Sequence, residues 1–265
     1  MTHSLPVRGL VEGVTRLASE LYVILKGDSD QIHVYTTDCQ AVRTISVEGL
    51  GKKGVCDIVA CQQNNRLYLS NKEKNCIHVV APKPSSSKIT KWTLSDAPYG
   101  LSMMPAGHLL VTCAETNRLR EFNPRGKLVR TITLETGISH TLHSVQLAGG
   151  GFVICCSVVS RVCVVDREGR VERSYGGASG AGERQLSWPT HVAVDRDGFV
   201  FVADCDNARV VLLSPTLEFA SVVLPNELQR RTNHVYVDDF ADRLYASSRV
   251  FDERRSLVTV VKLHN

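Results

Sequence analysis

"SWPTHVAVDRDGFVFVADCDNARVVLLSP", residues 187–215, holds two strand-like runs, "FVFVAD" and "RVVLLSP". The turn residues Asp197-Gly198 precede the first run, and the short break "CDNA" separates the two. Valine dominates and apolar positions alternate, which is the period of a half-buried strand rather than a helix. Whether this is one hairpin or one copy of a repeated unit decides the fold.

Relatives of "VAVDRDGFVFVAD", which starts at Val192, recur along the chain. "VTRLASELYVILK" starts at Val14, "IVACQQNNRLYLSN" at Ile58 and "LSMMPAGHLLVTC" at Leu101. "VQLAGGGFVICC" starts at Val145 and "VYVDDFADRLYASS" at Val235. The starts 14, 58, 101, 145, 192 and 235 are 44, 43, 44, 47 and 43 residues apart. Each copy reads as an alternating run, a Gly/Asp/Asn turn, a second run, a polar break, a third run such as "IHVYTT" or "RVCVVD", and a fourth such as "KLVRTITL". Four short antiparallel strands at this period describe a blade of a β-propeller.

Six copies give an all-β, six-bladed ring spanning residues 1–265 as one domain. A ring needs a lock. From Val235 to the end there are 31 residues, and 13 precede Val14; together they make one period of 44. The segment Ser4–Arg8 is therefore expected to supply the missing outer strand of the last blade.

Composition narrows the function. With 31 basic and 27 acidic residues, the net charge of +4 is too small to argue for nucleic acid without a local patch. No apolar run approaches a membrane span, and "MTHSLPVRGLVEG" lacks the layout of a signal peptide. The nine cysteines form no CxxC pair, and several lie within apolar runs. They read as small buried hydrophobes in a reducing compartment, so the chain is expected to be intracellular and cytoplasmic.

Residues 182–215 resemble an NHL repeat. The resemblance rests on Gln185, Leu186, Pro189, Val192–Asp195, Gly198, Val200, Val202–Asp204, Asn207, Arg209 and Val210. Arg118 and Arg161 keep part of the pattern in two other blades. The resemblance implies a six-bladed NHL propeller, and a non-catalytic interaction module that binds a protein partner or single-stranded RNA on its loop-bearing top face. It also implies a place within a TRIM-like protein. The propeller itself is most simply a monomer, with no membrane role.

In a propeller the top face carries the turns between second and third strands and the lead-ins to the inner strands. Those turns hold Asp28, Gln31, Lys72, Lys74, Glu115, Arg118, Ser160, Arg161, Asp206, Arg209, Arg249, Arg254 and Arg255. The lead-ins add Tyr99, His143, Thr190, His191, Asn233 and His234. The candidate binding set is Lys72, Lys74, Tyr99, Arg118, His143, Arg161, His191, Arg209, His234 and Arg249. Cations suit phosphates or an acidic protein surface, and aromatic rings suit bases. Asp204, Asn207 and Arg209 are also expected to brace a turn.

The alternative is a metal-dependent lyase or lactonase-type hydrolase with its site in the central channel. "HSV" at 143–145 resembles a blade lead-in of the zinc-bearing peptide-amidating lyases. Aligned on Val145, however, His143 corresponds to Cys56, Tyr99, Thr190 and Asn233, and falls one residue out of step with His191 and His234. Asp57 and Asn233 are the residues a lactonase-like calcium site would use. "GGASGAGERQ" (176–185) departs from both G-x-S-x-G and a phosphate loop and reads as a flexible connection. "APKPSSSK" (81–88) reads as a protruding loop. No cofactor, metal ligand or catalytic residue is assigned from the sequence.

Overall fold

The computed structural model describes residues 2–27, 30–47, 49–51, 54–82, 89–224, 231–249 and 255–263. Asp28, Arg254 and most of the 81–88 loop lie outside them. Six four-stranded antiparallel sheets make the blades. The first holds Leu10–Leu17, Glu20–Lys26, Gln31–Thr36 and Ala41–Ser46, and the second Val55–Cys61, Arg66–Asn71, Cys76–Val80 and Ile89–Thr93. The third holds Leu101–Met103, Leu109–Cys113, Arg118–Phe122 and Leu128–Thr133, and the fourth Thr141–Gln146, Phe152–Cys156, Arg161–Val165 and Val171–Gly176. The fifth holds Pro189–Val194, Val200–Asp204, Arg209–Leu213 and Phe219–Leu224. The sixth holds Arg231–Asp238, Arg243–Arg249, Arg255–Lys262 and, as its outer strand, Thr2–Arg8.

The expected lock is present. Thr2–Arg8 pairs antiparallel with Arg255–Val261 over seven residues, from Thr2 opposite Val261 to Arg8 opposite Arg255. The inner strands of neighbouring blades touch around the ring, the first against the sixth included. Each second strand is sandwiched between two blades, so both its faces are buried, as in "VFVAD" and "FVICC". Outer strands such as Leu128–Thr133 bury little.

The core is correspondingly divided into six apolar clusters among the described residues, one at each blade–blade interface. Ile24, Ile32, Leu67 and Leu69 pack blades one and two, and Val14, Tyr245 and Val258 pack blades six and one. Of the nine free thiols, only Cys56 is not fully buried; Cys155, Cys156 and Cys163 fill core positions in blade four and its interfaces. No helix of the described residues is long and apolar enough to cross a membrane.

The connection at 176–185 departs from expectation: it is tied down. Asn207 Nδ2 donates to Gly180 O at 2.7 Å, and Arg209 donates to Ala181 O and Gln185 O at 2.8 Å each. Asp204 accepts from Asn207 Nδ2 at 2.8 Å, Arg209 Nε at 2.7 Å and Ser187 N at 2.6 Å. The Asp–Asn–Arg set is thus a clamp that fastens the long connection to its blade.

Removing residues 1–9 is expected to lower stability by several kcal/mol, because it exposes an unpaired strand edge and removes buried Val7. Chemical denaturation checks it; an unchanged midpoint would mean that the ring does not depend on this strand. A second expectation concerns acid. His78 is 3% exposed, and burial, with Lys74 and Lys91 nearby, pushes its pKa down to about 4. The unfolded chain takes up this proton below about pH 6.5, the folded chain only near 4. The His78 contribution to stability, at most roughly 3 kcal/mol, should therefore be lost as pH drops through that window and change no further below it. His78→Leu should flatten the slope in denaturation at pH 7 and pH 5; an unaltered slope would remove His78 from the account.

Candidate functional site

The inner strands carry a recurrent irregularity. Register shifts fall between Val11 and Gly13, Val55 and Asp57, Thr141 and His143, Pro189 and His191, and Thr232 and His234. Each bulge turns two successive residues toward the axis. In the third blade, Gly100 precedes Leu101 in the equivalent place, its carbonyl accepting from Thr112 N. Two tiers result. The upper is Glu12, Cys56, Tyr99, Leu142, Thr190 and Asn233, all of which line a cavity of about 320 Å³ at the top of the channel. The lower is Gly13, Asp57, Gly100, His143, His191 and His234.

His143 therefore stands in register with His191 and His234, not one residue out of step. The sequence alignment matched Phe152 to Phe199. In the structure Gly150 N donates to Leu147 O as Gly198 N donates to Asp195 O, so Gly150 is the equivalent of Gly198 and the fourth blade moves by one residue.

The lower tier is crowded. The rings of His143 and His191 stack at 3.6 Å between centroids, and those of His191 and His234 lie 3.8 Å apart. Asp57 reaches across the axis. Its carboxylate lies 3.2 Å from His234 Nε2 and 3.6 Å from the Nε2 atoms of His143 and His191. It also accepts from the amides of Ile58 at 2.7 Å and Leu101 at 2.8 Å. His143 Nε2 is 3.0 Å from Leu101 O, so that nitrogen carries the proton and donates.

Electrostatics follow from this packing. Burial works to raise the Asp57 carboxyl, but the facing imidazoles of His191 and His234 outweigh it and hold the group well below the usual carboxylate range. Burial, then the neighbouring His143 and His234, hold His191 well below the ordinary imidazole value, so it is neutral at pH 7. Burial also lowers His143, against the opposing pull of Asp57.

Above this constriction the cavity wall is mixed. Lys26, Lys72, Arg231 and Arg249 line it with Glu12 and Trp188. Lys26 pairs with Glu12 at 3.5 Å, and Lys72 Nζ sits 4.8 Å from the centre of the Tyr99 ring. Tyr99, His140 and Trp188 form an arc with centroids 6.2 and 6.4 Å apart, and Trp188 is 43% exposed. Burial pushes the Cys56 thiol up to about 12 despite Lys72 nearby, so it is no thiolate nucleophile at neutral pH.

The candidate set thus divides. Lys72, Tyr99, His191 and Arg249 meet around the upper cavity, and His143, His191 and His234 meet in the channel. Lys74, Arg118, Arg161 and Arg209 stand outside both. Lys74 Nζ donates to Gly49 O at 2.7 Å, and Arg118 is 3.8 Å from Asp96. The guanidinium of Arg161 lies over Gly177, and Arg209 belongs to the clamp. Sequence reading missed the central place of Asp57 and the exposed Trp188; their offsets, one before Ile58 and one before Pro189, carry the signal once the tiers are in register.

The two glycines of the lower tier are required by space. A Cβ on Gly100 would lie 2.5 Å from Leu142 O and 2.7 Å from His143 Cδ2, and one on Gly13 would lie 3.2 Å from Asp57 Oδ1. Gly100→Ala is expected to cost about 1–3 kcal/mol. Gly149→Ala, where nothing lies within 4 Å, should cost far less. Equal losses in thermal or chemical unfolding would contradict the crowding.

A family model described as NHL repeat matches residues 186–211, the stretch that carries the clamp. No curated protein sequence matches the chain. Among solved structures, it is similar to virginiamycin B lyase from Staphylococcus aureus at 9% identity and TM-score 0.69, over 98% of this chain and 100% of that one. It is also similar to a protein of unknown function from Bacteroides thetaiotaomicron, at 13% identity and TM-score 0.73, over 98% of this chain and 76% of that one. The β-propeller domain of Cps50 (Swd1) from Myceliophteria thermophila matches at 10% identity and TM-score 0.64, over 96% of this chain and 84% of that one. One of these is an enzyme, and at such identities the likeness is one of fold alone. With the repeat match, the clamp residues and six closed blades in agreement, the chain is a six-bladed β-propeller that carries an NHL repeat in its fifth blade.

Proposed function

We propose that the upper face is a non-catalytic recognition platform for single-stranded RNA. The observation that carries this reading is the Tyr99–His140–Trp188 arc beside the cations Lys26, Lys72 and Arg249 at one cavity mouth. Trp188 is exposed and Tyr99 and His140 are half-buried, and rings along such a rim can take base faces while cations between them take phosphates. Such a platform is of the kind an NHL module would present within a TRIM-like protein. Eight buried thiols suit a reducing, intracellular setting. An acidic protein segment would meet the cations but would leave the arc without a purpose.

A second reading, a metal-dependent lyase or hydrolase, is favoured by one observation: the Asp57–His cluster on the axis. Virginiamycin B lyase is an enzyme on the same architecture. Cys56 in the cavity above the cluster is held as a thiol and is not a nucleophile in that reading.

A random pool of 12-nucleotide single-stranded RNA tests the platform. The full chain should bind it at physiological salt, and Trp188→Ala should weaken binding roughly 5- to 150-fold, the worth of one stacked base at about 1–3 kcal/mol. Lys72→Ala together with Arg249→Ala should reduce the salt slope by about two. Binding that disappears at physiological salt, or that ignores Trp188, would contradict RNA recognition and point to a protein partner.

A further inference from the structure

We infer that the axial cluster is a divalent transition-metal site of the zinc class, with Asp57, His191 and His234 as its ligands. The inference stands apart from the RNA reading, and either can fail without the other.

Spacing carries it. Asp57 Oδ1 is 3.2 Å from His234 Nε2, Asp57 Oδ2 is 3.6 Å from His191 Nε2, and one ligand atom from each of the three residues lies within 4.8 Å of the others. A tetrahedral zinc with bonds of about 2.0–2.1 Å holds its donors about 3.3 Å apart. An ion between these groups needs only small side-chain adjustments. Two imidazoles and one carboxylate match a zinc-class ion, whereas magnesium and calcium favour all-oxygen sets.

Unmet bonding supplies a second, separate observation. Neither ring nitrogen of His191 has a hydrogen-bond partner although both are buried, and Nδ1 of His143 and of His234 is likewise unpartnered. The side chains of Asp57, His143 and His234 are 3%, 4% and 4% exposed. Buried imidazole nitrogens without partners are costly, and a metal would satisfy the His191 nitrogen that faces Asp57. Without an ion, His234 Nε2 donates to Asp57; on binding, the ring changes tautomer, its proton passing to Nδ1 so that Nε2 is free to ligate.

The surroundings are already arranged to hold the ligands. The amides of Ile58 and Leu101 fix the Asp57 carboxylate. His143 donates to Leu101 O and stacks on His191, which makes it a positioning residue rather than a ligand. Amides and stacking partners of this kind orient ligands before the metal arrives. Asp57 and His191 also line the upper cavity, while all four residues line the channel below. The fourth coordination position therefore opens onto accessible space.

Titrating Co²⁺ and Zn²⁺ into the metal-stripped full chain tests the site. Micromolar or tighter Zn²⁺ binding at one equivalent is expected, with a visible d–d absorption for Co²⁺ of four- or five-coordinate intensity. Asp57→Asn, His191→Ala and His234→Gln should each weaken Zn²⁺ by about 100-fold or more, and His143→Phe, which keeps the stacked ring, by about tenfold or less. Circular dichroism and thermal unfolding of the metal-free proteins identify any variant that fails to fold. Millimolar binding by the wild-type chain, or folded ligand variants that bind like wild type, would overturn the assignment.

Discussion

Six strands converging on one axis leave room for few side chains, and that steric limit organises the molecule. Each inner strand must bulge as it nears the axis, and the bulge presents two residues to the centre instead of one. At the narrowest tier only four of six positions carry side chains. Gly13 and Gly100 are the two that yield: a Cβ at Gly100 would strike Leu142 O at 2.5 Å, and one at Gly13 would strike the Ile58 side chain at 2.9 Å. The four that remain, Asp57 and three histidines, are pressed into contact. Their chemistry is a consequence of geometry that the ring imposes.

The same convergence separates two kinds of surface. Above the constriction, upper-tier residues and the turns around them open into a cavity rimmed by cations and aromatic rings. At the constriction, water is largely excluded and one carboxylate faces three imidazoles. Of the cations farther out, Lys74 and Arg209 are already engaged. Arg209 is committed to Asp204 and to the backbone of the 176–185 connection. A charge count over the top face would include it; the hydrogen bonds show that it stabilises a turn.

Much of the fold was legible in the sequence because a blade's strand pattern survives even when its side chains change. The period identified six blades, and the residues left over at the two ends identified the strand that closes the ring. Arg209 and Asp204 read as braces for the same reason, since a tight turn needs a charge-assisted tie. The site was harder. The fourth blade's turn, "AGGG", is followed by phenylalanine, and matching that Phe152 to Phe199 displaced the blade by one residue. In a strand, one residue is the difference between facing the axis and facing a neighbour. That single slip concealed the tier of histidines, although His143, His191 and His234 are 48 and 43 residues apart, close to the repeat itself. Trp188 was hidden differently: it precedes the inner strand in a left-handed conformation at φ 54°, outside any strand pattern.

The most direct measurement is a crystal structure grown in zinc, with anomalous diffraction recorded on both sides of the zinc edge. The account predicts one strong peak on the propeller axis, about 2.0–2.2 Å from the Asp57 carboxylate and from the Nε2 atoms of His191 and His234. His143 should remain stacked on His191 and bonded to Leu101 O. Three histidines turned into separate blades, or an axis with no peak in a well-ordered ring, would contradict it.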